Sequence, residues 1–133
     1  MNFWIWALIL FVMFDVLLVA FVLWKRNGGG LSDVQKREYL DMWSRIKNDS
    51  DLRHAVMDAD KLLDRLLGHK GYSGSLGEKL KKSGSLFSDL NGVWSAHKLR
   101  NRLAHELDAK VSPKEGERAL KQFARAFRDL GLL

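Results

Sequence analysis

The run Phe3–Trp24 constrains this chain more than any other feature, because every residue in it except Asp15 is apolar. At about 1.5 Å rise per residue, a helix of this length crosses a hydrocarbon layer of roughly 30 Å. Trp4, Trp6 and Trp24 stand near its ends, where indole rings favour the membrane interface, and Lys25 and Arg26 follow at once. No Lys or Arg precedes the run. The charge bias therefore predicts a single-pass protein of the cell membrane, with its N-terminus outside and residues 25–133 cytoplasmic. A cleaved signal peptide fits less well: there is no basic opening, and Phe21-Val22-Leu23-Trp24 lacks the small residues a cut requires. A charged Asp15 facing lipid would be costly, so it is expected to be protonated, to meet a partner helix, or to be a tolerated polar residue in a very apolar span.

About a hundred residues remain to bury a core, enough for one compact domain. They carry one Pro and no alternating β-branched run, so the fold class is all-α. The chain has no cysteine, which excludes disulfides and thiolate metal sites. All 22 basic residues but only 15 of the 16 acids follow Trp24, so this part carries a net charge of +7. Such a charge suits phosphate-rich partners, either nucleic acid or anionic lipid, or else is simply a well-solvated surface.

Asn27-Gly28-Gly29-Gly30 reads as a hinge, giving an anchor over 1–26, a linker over 27–31 and a helical domain over 32–133. Tyr39, Met42, Trp43 and Ile46 recur at helical spacing and predict a helix from about Ser32 to Lys47. A second runs from about Asp51 to Leu67, with Leu52, Ala55, Val56, Ala59, Leu62, Leu63 and Leu66 on one stripe, and is expected to end at Gly68. Ser75-Leu76-Gly77-Glu78 has capping-box spacing and opens a short helix to about Lys82, followed by a break at Ser83-Gly84-Ser85. A third long helix is expected over Leu90–Leu107. The fourth starts at Ser112-Pro113-Lys114-Glu115, buries Leu120, Phe123, Phe127 and Leu130, and ends at Gly131.

The segment Trp94-Ser95-Ala96-His97-Lys98-Leu99-Arg100-Asn101-Arg102-Leu103-Ala104-His105 carries a family likeness. Arg100-Asn101 followed by His105 resembles the signature of HEPN domains, small helical bundles in which an Arg and a polar neighbour precede a His. The order of an acidic-aliphatic helix, a Gly-rich turn, a short helix and the Arg-Asn-His helix is similar too, over roughly residues 35–130. The resemblance implies a four-helix bundle with one short extra helix, a homodimer formed through the motif helix, and in some members metal-independent RNA cleavage. In that chemistry His105 would transfer protons, Arg100 would face the developing phosphorane charge, and Asn101 would hold the ring or the phosphate. Many such domains are inactive binding modules.

The helical wheel puts Asn101 and His105 on one face, with Trp94, His97 and Lys98 nearby, but turns Arg100 toward the core. An unpaired guanidinium there is costly, so a carboxylate of the second helix is expected beside it, Asp60 first and Asp64 second. Arg100 would then either serve a site or merely brace the bundle. Arg118, Lys121, Arg125 and Arg128 form a basic stripe on the last helix, suited with Lys98 to RNA or lipid, or simply solvated. His54 and His69 show no metal-ligand spacing, and no metal or cofactor is expected. The leading reading is a membrane-tethered domain that recognises RNA or a partner protein and is a candidate ribonuclease. The rival is a non-catalytic interaction scaffold.

Overall fold

Helix boundaries in this chain are set mostly by short polar side chains. Ser32 accepts from Gln35 N while Gln35 Oε1 accepts from Ser32 N, and Ser112 and Glu115 form the same reciprocal box ahead of Pro113. Asp51, Ser75 and Asp89 each cap a first turn. At Ser75 only half of the expected box forms, since Glu78 Oε1 accepts from the Ser75 hydroxyl rather than from its backbone. The computed structural model describes residues 2–26 and 30–133, and these caps open helices α2 (Asp33–Lys47), α3 (Leu52–His69), α4 (Leu76–Ser83), α5 (Leu90–His105) and α6 (Pro113–Asp129). Ahead of them runs α1 (Phe3–Arg26), and a single 3-10 turn over Gly84–Leu86 occupies the break predicted after α4. No strand occurs among the described residues.

Two of the predicted stops move. Gly68 lies inside α3, and the chain turns at Gly71, whose φ of +92° suits a residue without a Cβ. Gly71 N donates to Gly68 O and Tyr72 N to Leu67 O, the paired bonds of a Schellman closure. Gly131 ends α6 in the same way, with Leu132 N on Phe127 O. The expected helix to Leu107 instead ends at His105, and Leu107 is 99 % exposed. The cause is tertiary: Arg53 of α3 donates to Leu103 O at 2.7 Å and to Ala109 O at 3.2 Å. It thereby caps the C-terminus of α5 and fixes the following loop.

The central element is α3, which packs against α2, α4, α5 and α6. Its buried stripe is accordingly wider than the sequence pattern and includes Leu67 as well as Leu63 and Leu66. Trp43 of α2 meets Phe127 of α6 edge to face at 5.0 Å, and Phe123 lies stacked beyond it. Leu31, expected in the linker, is half-buried against this core. Of the expected hinge, Asn27 to Gly29 lie outside the described residues and Gly30 is exposed.

The 22 residues Phe3–Trp24 of α1 form a helix long and apolar enough to cross a membrane, and none of it is buried against the domain. The Asp15 side chain is exposed there.

Phe127 is fully buried between α2, α3 and α6, so Phe127→Ala should cost about 3–5 kcal/mol of stability. Urea unfolding of the full chain in detergent micelles, followed by tryptophan fluorescence, measures this.

Candidate functional site

Asp60 faces inward from α3 and is 4 % exposed, so its charge must be met by other groups. Two residues of α5 meet it. His97 Nδ1 lies 2.8 Å from Asp60 Oδ1, and Arg100 Nε lies 3.3 Å from Oδ2. A carboxylate only accepts, so Nδ1 carries the ring hydrogen and Nε2 is left to accept from Asn101 Nδ2 at 3.4 Å. Asn101 Oδ1 in turn accepts from Arg100 Nη1 at 3.1 Å. Asp60, His97, Asn101 and Arg100 therefore close a ring of four side chains. One atom of the ring is under-served: Arg100 Nε is charge-paired with Asp60, yet its N–H is aimed at no acceptor.

One turn along α3, Asp64 takes a different partner. Lys79 of α4 reaches it at 2.8 Å and also donates to the Asp64 carbonyl. The two carboxylates named for Arg100 thus divide, Asp60 beside the guanidinium and Asp64 beside the ammonium. Between these pairs and the capped start of α4 lies an open groove lined by Lys61, Ser75, Gly77, His97, Arg100 and Asn101, with both aspartates in its wall. The Arg100 side chain is 27 % exposed to it.

His105 is not part of this ring. It is exposed at the last residue of α5 and makes no side-chain hydrogen bond or ion pair among the described residues. Lys98 is exposed on the outer face of α5, beside Trp94, Ser95 and Asn91. On α6, Arg118, Lys121, Arg125 and Arg128 are all exposed and share one shallow groove. Arg125 is 3.4 Å from Asp89.

His97, expected only as a neighbour of Asn101 and His105, is a member of the ring itself, and its place three before Arg100 and four before Asn101 is the signal for that. His54 was set aside, yet Asp49, His54 and Asp58 bring one ligand atom each within 4.8 Å of one another. The contacts fit a proton better than a metal ion. Nδ1 is 2.7 Å from Asp49 and Nε2 is 3.5 Å from Asp58, so both nitrogens point at carboxylates, and Lys61 stands 3.8 Å from Asp58. The hydrogen bond to Asp49, reinforced by the charges of Asp58 and Asp49, raises the His54 pKa above its ordinary value. The backbone N–H of Asp51, followed by the His54 contact, lowers that of Asp49. His69 packs its ring against Tyr39 at 5.5 Å.

Two outcomes are expected. Asp60→Ala leaves Arg100 and His97 without their shared anion and should destabilise the fold by about 3 kcal/mol. Asp64→Ala should cost less, because the Asp64 side chain is 44 % exposed and Lys79 keeps the backbone carbonyl of residue 64 as an acceptor. Chemical unfolding of both variants tests the contrast. The second outcome concerns pH. With a raised folded-state pKa, the contribution of His54 is complete below the unfolded value of about 6.5 and disappears as pH rises through the folded one. Asp49 contributes above its unfolded value and loses this as pH falls through its lowered one. Stability should thus decline between about pH 6 and 8 in the wild type and be flatter in His54→Ala.

Comparison with protein-family models, curated proteins and solved structures returns no match to this chain.

Proposed function

We propose that the chain is a membrane-anchored RNA-binding module of HEPN-like architecture, with the α5 helix as its RNA-facing element and the domain on the cytoplasmic side. The observation that carries this is Arg100, a cation held from behind by buried Asp60 while part of its guanidinium borders an open groove. A fixed guanidinium with an adjacent amide suits a phosphodiester, which takes charge and hydrogen bonds from the same direction. On the outer face of α5, one turn before Asn101, Lys98 adds positive charge and Trp94 a partly exposed ring for stacking. The helix order, with short α4 between α3 and the motif helix, agrees with the family likeness. Lys25 and Arg26, which close α1 directly after its apolar run, support the cytoplasmic orientation.

Binding is favoured over cleavage within one copy, because no carboxylate orients the His105 ring and Arg100 is already engaged. Cleavage needs a second copy. In a homodimer through α5, His105 would take the proton of the 2′-hydroxyl as the 2′-oxygen bonds to phosphorus. The P–O5′ bond would break and the leaving 5′-oxygen would take a proton from the protonated His105 of the second copy, leaving a cyclic phosphate.

The test uses the full chain in detergent micelles with labelled single-stranded RNA and EDTA present. Lys98→Glu, an exposed change, should weaken binding several-fold and reduce the salt dependence by about one ion. Absence of RNA binding by the wild type rejects this reading and leaves an interaction scaffold for a partner protein. Cleavage that disappears in His105→Ala would establish the enzyme.

A further inference from the structure

We infer that the solvent face of α6 is a docking surface for the anionic phospholipid headgroups of the membrane that α1 crosses. The inference rests on α1 being inserted, and is independent of what α5 binds. Arg118, Lys121, Arg125 and Arg128 fall within an arc of about 80° at 100° per residue. They extend for about 15 Å along the helix. The opposite side of α6 carries Phe123 and Phe127, both fully buried, so the basic face is held outward by the core.

Three acids lie close to this face, Asp89, Asp129 and the exposed Glu117, and the first two are engaged. Asp129 accepts from the backbone and hydroxyl of Ser88 at 2.9 Å each, and Asp89 caps α5 while pairing with Arg125. Arg118, Lys121 and Arg128 make no ion pair among the described residues. The surface therefore presents four exposed basic side chains, of which only Arg125 is ion-paired among the described residues.

Lipid fits this surface better than RNA does. Both aromatic rings of the helix are sealed in the core, so the stripe gives bases no aromatic face on which to stack. Headgroups ask only for charge near the interface, at about fivefold in partitioning for each Lys or Arg. The anchor supplies proximity. Residues 27–32 separate α1 from α2 and reach at most about 22 Å when fully extended. A domain of about a hundred residues has a radius of gyration near 13 Å, so a tether of this length keeps its surface close to the bilayer. Tethering also raises the local concentration of the two surfaces to about the millimolar range.

The chain has no cysteine, so a single dye can be attached at Glu117→Cys beside the stripe, or at Glu38→Cys on α2 as a reference. The labelled full chain is placed in nanodiscs of phosphatidylcholine, with or without phosphatidylglycerol, carrying acceptor dye on the headgroups. Energy transfer from position 117 should be greater in the anionic discs, fall with added salt, and return to the neutral-disc level when all four basic residues become Gln. Replacing the three arginines by Lys should preserve it, separating charge from folding. Equal transfer in both disc types overturns the inference, as does a Gln variant that loses RNA binding with unchanged transfer. A chain that fails to remain in either disc refutes the anchor itself, a distinguishable result.

Discussion

The buried carboxylate of Asp60 is the charge on which the functional side of this protein depends. Placed on the element that touches every other helix of the domain, it cannot be left alone in a low-dielectric core. Its two oxygens draw in His97 and Arg100, and Asn101 closes the circuit between them. The rotation of α5 about its own axis is thereby specified by polar contacts as well as by Val93, Ala96 and Leu103. Arg100 is partly exposed because its Nε is anchored inside, which leaves the terminal nitrogens near the groove.

The acidic edge of α3 organises more than one neighbour. Asp60 engages α5 and Asp64 engages α4, so a single turn of one helix positions the two walls of the groove. At its N-terminus the same helix carries Asp58 and His54, which join Asp49 in the preceding loop. Hydrophobic burial supplies most of the free energy, and these pairs select among the ways such helices could pack.

Much of this was readable before any coordinates. Ser75 and Ser112 mark their helix starts in the sequence, because a cap is a local event between residues three apart. The core stripes of α2, α3 and α6 followed from helical periodicity, and Asp60 followed from asking what a core-facing Arg100 would need. The misses share a physical origin in contacts between distant segments. The end of α5 depends on Arg53, which no local pattern near His105 reveals. The role of His97 depends on a carboxylate 37 residues earlier, and the His54 trio on a loop that folds back on its helix. Gly68 misled because glycine is tolerated inside a helix, and the left-handed turn needed at Gly71 was the stronger signal.

The capping of α5 by Arg53 has a consequence for inheritance of change within this fold. The backbone oxygen that Arg53 holds belongs to a residue 50 positions away and only two before His105. A substitution at the start of α3 would therefore let the last turn of α5 unravel, moving that imidazole without altering any residue around it. Sequence drift in one helix is felt as displacement at the tip of another.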